Sequence, residues 1–468
     1  MKKSLISVLL VCTLTFMTLL SGCGGGNKDS KKSGKDGINR IELTGDAAEM
    51  AELFGQDYVL ERAKWEKENN PYNVPENLRG TTVKLATWID HTTDDAKYAM
   101  ANFEKDTGIK IEWVEIPQGG YFEKLASAVA SGDAPDVFVD NNTEFPMILQ
   151  IAKPLDTVSS INVNDPIWNS DVIKRTTFGN HFYEINTRNS LWDSANHLVY
   201  YNKKAFEENG ILTPQDYIDK GEWTIDNMIN IMREFKALGD TYAGGNITPR
   251  ILAASMGSGI CYLKNNRFVN GLNDEGLSVA YKAYLTTQEE GLSQGGSAAA
   301  MLKGTAGIYI TDAYGLKKTG YFKGIADDVL GFAPVPTVDG KEAKYTSAAW
   351  RNYGILKGSK NPEGAGYFLR YFLDPYNYKL DDCFLNEEAR DYYYKSATKI
   401  GNSEKVFSFD TSLVTLIGYP SDHNGLNTWN YTLMRTSKAQ FVTTAARISN
   451  EVDTAVAKAN AILDSLDK

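Results

Sequence analysis

The stretch Ser131-Gly132-Asp133-Ala134-Pro135-Asp136-Val137-Phe138-Val139-Asp140-Asn141-Asn142 constrains the fold more than any other part of the chain. Turn residues lead into a short apolar strand, Val137-Phe138-Val139, which runs directly into three polar residues. A buried strand with a polar tip is what an open α/β sheet presents at its ligand-binding edge. Val83 to Thr87 is a second such strand and ends in Trp88-Ile89-Asp90. Ala96, Ala99, Met100 and Phe103 then predict a helix over 92–106, stopped by Gly108, and Ile109, Ile111 and Trp113 alternate as a strand. Strand, helix, strand is the repeating unit of a parallel sheet.

The pattern continues downstream. An apolar stripe on Phe122, Leu125, Ala126 and Val129 predicts a helix before the opening strand, and 143–152 read as helical after it. His197 to Lys204 is a strand entering a short helix. Thr224 is placed to cap a helix with Trp223 as its staple, and Met228, Ile231, Met232, Phe235 and Leu238 form the buried face. Residues 251–292 read as helical segments broken by a turn at 265–273. Gly304 to Ile310 is a strand whose tip, Thr311-Asp312-Ala313-Tyr314, repeats the polar and aromatic ending. Pro334 and Pro336 make 330–336 an edge strand or a crossing between domains. Trp350, Arg351 and Asn352 stand beside another apolar run, Asn361-Pro362 is a helix start, and helices are expected near 411–418 and 435–465, with Trp429 in the loop before the last.

The amino end follows different rules. Lys2 and Lys3 precede an apolar run, Leu5 to Leu20, that ends in Leu20-Ser21-Gly22-Cys23. This resembles the lipobox of bacterial lipoproteins, with 1–22 as signal peptide and Cys23 as the lipidated (palmitate-bearing) first residue. Residues 23–40 are a Gly/Ser/Lys-rich tether, and 41–80 a peripheral helical arm with its helix at 47–66. Loss of Lys2 and Lys3 takes the formal charge from −10 to −12. An acidic body is a poor match for nucleic acid. Length argues for two domains, since 468 residues exceed one ordinary core. Of the cysteines, Cys261 and Cys383 remain, and their spacing fits a disulfide and two isolated buried thiols equally.

Catalytic signatures are sparse. His91, His181, His197 and His423 form no zinc pattern, and no phosphate loop or dinucleotide fingerprint occurs. No metal or cofactor is implied. Gly291-Leu292-Ser293-Gln294-Gly295 matches the nucleophile-elbow spacing but follows a polar run in place of a buried strand. What stands out is a set of flat rings and polar groups at strand ends and loops: Trp88, Asp90, Asp140, Asn141, Asp312, Tyr314, Trp350, Arg351 and Trp429. Rings match the apolar C–H faces of sugars, and carboxylate, amide and guanidinium groups match their hydroxyls. Some of these rings would serve equally well as core plugs.

With these segments in order, 81–465 resembles the sugar-capturing solute-binding lipoproteins of bacterial ABC importers, the family of maltose-binding protein. The resemblance rests on Ser131 to Val139, Pro154-Leu155, Leu198 to Lys204, Trp223-Thr224, Gly304 to Tyr314, Phe332 to Pro336, and Lys357 to Glu363. It implies a type II periplasmic-binding-protein-like α/β fold with two lobes, a multi-strand hinge and a ligand cleft between them. Lobe one would hold 81–190 and 337–390, lobe two 195–325 and 395–468, with crossings near 186–196, 326–336 and 385–395. It also implies that Tyr314 stacks on sugar where relatives more often have Trp, that Asp140 to Thr143 supply polar contacts, and that Trp88 and Asp90 lie in a ligand-contacting loop. The expected protein is a non-enzymatic monomer, lipid-anchored on the extracytoplasmic face of the membrane. It would capture a carbohydrate, an oligosaccharide on the number of rim aromatics, and pass it to ABC permease subunits. The rival readings are a membrane-anchored glycoside hydrolase, which needs two facing carboxylates, and a non-transporting adhesion lipoprotein.

Overall fold

The computed structural model describes residues 46–91, 96–141, 143–188, 196–326, 328–340, 346–347, 351–400, 409–419 and 428–466. The chain divides into two compact units, the first ending at Asn70 and the second beginning at Pro71. In the first, the single helix expected at 47–66 is two, Asp46–Phe54 and Gln56–Asn69. Gly55 separates them at φ 90°, a backbone angle that glycine adopts without a Cβ penalty.

The second unit carries the strands β1 (Thr82–Thr87), β2 (Lys110–Glu115), β3 (Val137–Asn141), β4 (Thr177–Phe178), β5 (His181–Phe182), β6 (Asn196–Asn202), β7 (Ala243–Asn246), β8 (Cys261–Lys264), β9 (Arg267–Asn270), β10 (Ala306–Asp312), β11 (Leu330–Pro334), β12 (Thr346–Ser347) and β13 (Arg351–Ile355). One sheet has the order β13-β3-β1-β2, with β1 parallel to both neighbours and β13 antiparallel to β3. A second has the order β11-β6-β10-β7, with β12 also on β6. There β10 runs parallel to β7 and antiparallel to β6. Polar tips therefore gather at one end of each sheet, as the strand pattern predicts.

Local chemistry explains the opening motif. Gly132 ends the helix Tyr121–Ser131 in the left-handed region, φ 79°. Asp136 then accepts from the backbone N–H of Lys84 (2.8 Å) and of Asn361 (3.1 Å), tying β1 and the start of the helix Pro362–Leu373 to the entrance of β3. Tyr121 bridges the same strands, its hydroxyl donating to Ala86 O (2.8 Å) and accepting from Val139 N–H (3.1 Å). In the second sheet, the buried Trp223 donates its indole N–H to Pro334 O (2.8 Å), so the staple also pins β11. Pro334 fits in the strand because β11 lies at the end of the sheet order, and Pro336 falls beyond it.

Several expectations are corrected. The segment 330–336, read as an edge strand or a crossing, carries β11, antiparallel to β6, and Thr346 and Ser347 pair with β6 as well. Residues 143–152 contain only the 3-10 turn Met147–Gln150, Pro146 having no N–H to continue a helix backwards. The helical reading of 251–292 misses the hairpin β8–β9, whose turn residues Asn265 and Asn266 both take positive φ (52° and 57°). Cys261 and Cys383 are both buried free thiols.

Candidate functional site

At the tip of the first sheet the parallel strands β1 and β3 end side by side, and antiparallel β13 begins there. Arg351 opposes Asn141 and Asn352 opposes Asp140 in register. Trp88, half-buried, follows β1 and packs edge-on against Tyr121, ring centroids 5.2 Å apart. Thr87 holds the turn after β1: its hydroxyl accepts from Ile89 N–H (3.2 Å) and its carbonyl from the indole N–H of Trp113 (3.0 Å). Asp90 lies in that same loop, partly exposed. Asp140 is fully buried, and Asn352 behind it donates to Glu184 (3.0 Å).

The β3 tip turns on its own side chains. Asn141 Oδ1 accepts from Thr143 N–H (2.8 Å), and Asn141 N–H donates to Glu144 (3.3 Å), whose other carboxyl oxygen meets the Thr143 hydroxyl. Glu144 is 2% exposed, and burial pushes its carboxyl from the ordinary 4.5 up to about 8 against those hydrogen bonds.

At the tip of the second sheet, Asp312 ends β10 opposite His197 of β6. Its carboxylate accepts from Tyr314 N–H (3.0 Å), and its carbonyl accepts from the Tyr200 hydroxyl (2.9 Å). Tyr314 is half-buried and donates its hydroxyl to Thr319 O (2.7 Å), closing a tight loop. Gly320 permits that loop, since a Cβ there would sit 1.9 Å from Tyr314 O. The Tyr321 ring stands perpendicular to Tyr314, centroids 5.3 Å apart, and its hydroxyl reaches Asp312 Oδ2 at 3.4 Å. Tyr321 carries no sequence signal of its own; its seven-residue offset from Tyr314 hides a contact that only the loop creates.

Burial raises the Asp312 carboxyl above the usual carboxylate range, and the Tyr314 N–H and the Arg351 guanidinium pull it back. Trp429 belongs elsewhere: it opens the helix Trp429–Met434, is 3% exposed, and gives its indole N–H to Glu451 (3.3 Å) in the carboxyl-terminal helical core. Its place at a helix start, not in a loop, corrects the rim reading by its burial. Trp350, Asn142 and the lipidation residue Cys23 lie outside the described residues. Ser293 follows the helix Glu275–Glu289 and donates to Thr287 (3.1 Å), with no strand before it, so the elbow geometry is absent there. Among the described residues no group of three or more His, Cys, Asp or Glu could hold a metal ion.

Comparison with known proteins gives the same architecture. Diacetylchitobiose binding protein DasA of Streptomyces coelicolor is 24% identical, over 65% of this chain and 73% of its own. The galacto-N-biose-/lacto-N-biose I-binding protein of a Bifidobacterium longum ABC transporter, solved with lacto-N-biose, superposes with a TM-score of 0.60 at 15% identity, covering 82% of this chain and 98% of its own. The sugar-binding protein MalE from Xanthomonas citri gives 0.58 at 16%, covering 82% and 99%. These likenesses fix the fold as the MalE-like type II binding-protein architecture of two α/β lobes. The profile of the bacterial extracellular solute-binding proteins matches residues 89–378, more than half of the chain, and the protein belongs to that family.

Proposed function

We propose that the protein is the lipid-anchored capture subunit of an ABC importer, that its ligand is a carbohydrate, and that this ligand is an oligosaccharide. The observation that carries the reading is the polar and aromatic ending of both sheets, Trp88, Asp140, Asn141 and Arg351 at the tip of the first and Asp312 with Tyr314 at the tip of the second. A ligand seated there meets rings for its C–H faces and carboxylate, amide and guanidinium groups for its hydroxyls. Contacts to both lobes would favour the closed state, so binding energy becomes a shape that permease subunits can recognise. The chemistry needs no bond to break. Trp88, Asp90, Asp140, Asn141 and Trp350 complete the proposed contacts; Cys23 supplies the anchor, and a monomer suffices. That relatives carry sugar-binding names supports the ligand class.

A thermal-shift screen of the chain without its signal peptide, over mono- and oligosaccharides, tests this. Stabilisation by an oligosaccharide is expected; stabilisation by none of them would refute the ligand class.

A further inference from the structure

Resting on that carbohydrate reading, we infer that Tyr321 is a ligand-contacting residue, the open stacking platform of the site, with Tyr314 as its supporting edge. The Tyr321 ring is at once exposed and ordered. Tyr321 is 47% exposed, more than any other described aromatic ring. The nearest in exposure, Tyr98 at 46%, has the Lys97 and Lys379 ammonium groups over its ring, 5.1 and 4.8 Å from the centroid. Tyr321 faces water, yet it is held on two sides: Tyr314 stands perpendicular to it at 5.3 Å, and its hydroxyl meets Asp312 Oδ2 at 3.4 Å. Phe322 beneath is fully buried against Tyr200, centroids 4.7 Å apart, which fixes the chain on which Tyr321 is carried.

An exposed ring that is already ordered loses little rotamer entropy when a flat ligand face settles on it. Its position beside Asp312 adds an acceptor at the edge of the platform, within reach of hydroxyls that flank a pyranose C–H face. Tyr314 is less suited to that task, because it is half-buried and its hydroxyl is committed to Thr319 O. The matching ligand is a pyranoside with one face free of axial hydroxyls, so that the C–H groups lie flat on the ring.

Calorimetry with the sugar that gives the largest thermal shift tests the assignment on Tyr321→Ala, Tyr321→Phe, Tyr314→Ala and, as a control away from the site, Tyr98→Ala. Tyr321→Ala is expected to weaken binding about tenfold or more with an unchanged melting temperature, as for an aromatic anchor, and Tyr321→Phe by about threefold or less. Tyr98→Ala should bind as the parent does. Unchanged affinity in Tyr321→Ala, on a sugar that Tyr314→Ala no longer holds, overturns the platform and leaves the carbohydrate reading standing. A loss in Tyr321→Phe as large as in Tyr321→Ala also overturns it, since the hydroxyl and not the ring would then be the active part. A parent protein that binds no sugar overturns both.

Discussion

Thr143 has one hydroxyl proton and two acceptors beside it, Asn141 Oδ1 and a carboxyl oxygen of Glu144. One proton cannot serve both, and the conflict disappears if Glu144 is neutral and donates to Thr143 while Thr143 donates to Asn141. Burial, which lifts the Glu144 carboxyl from 4.5 to about 8, favours that state, and the Glu123 carboxylate nearby adds to it. A folded-state value above the unfolded one means that the folded protein holds the extra proton. The associated stability is therefore complete below about 4.5 and is lost as pH rises through about 8. Glu144→Gln keeps a neutral side chain throughout, so its stability should fall less than the parent's between those limits, by an order of a few kcal/mol in paired denaturant titrations. Parallel curves for the two proteins would refute a neutral Glu144. The rings give a second test at this scale: Trp88→Ala and Tyr314→Ala should each weaken sugar binding by more than about tenfold while the fold persists, measured by calorimetry and circular dichroism. Trp88, Asp140, Asn141 and Asp312 were legible as strand-end residues, because a strand's length and its polar ending are written locally. The neutral Glu144 and the Tyr321 contact were not, since each depends on what the loop folds against.

The elements divide along the same line. Asn361 is legible as a cap, and it does accept from Gly364 N–H (3.1 Å) at the start of the helix Pro362–Leu373. Its amide also donates to Thr81 Oγ1 (2.9 Å) and Thr82 O (3.1 Å), which fastens that helix to the entry of β1. Asn361→Ala should therefore cost more than an isolated cap, about 2–3 kcal/mol in a urea titration, with Asn361→Asp restoring part of it through the cap alone. Equal stability of the alanine variant and the parent would reduce the motif to coincidence. Trp223-Thr224 reads equally well from sequence, and Ile225 N–H donating to Thr337 O (2.9 Å) adds a link that no local pattern announces. The β8–β9 hairpin escapes a sequence reading because Asn265-Asn266 supplies two left-handed residues without any glycine. Trp429 escapes for the opposite reason: a Thr-capped helix start looks like a loop until the helices that bury it are in place.

For the whole molecule, the sequence order of strands and helices identifies an α/β protein, while the division of the chain between the sheets emerges only from pairing. The two prolines at 334 and 336 fit a crossing and an edge strand alike; in the structure Pro334 ends β11, paired with Leu198 of β6, and β12 pairs with that same strand. Among the described residues no helix is long and apolar enough to cross a membrane. The formal charge, −10 for the full chain and −12 without Lys2 and Lys3, gives no net electrostatic attraction to an anionic surface, so contact with a membrane would rest on the proposed lipid at Cys23. Capture without chemistry requires a ligand that enters and leaves unchanged. The decisive measurement is calorimetry of the signal-free chain with the oligosaccharide that stabilises it most, followed by analysis of the recovered sugar. Saturable binding, one ligand per chain, with the sugar recovered intact, is expected; cleavage of the sugar, or no binding by any oligosaccharide, would refute capture.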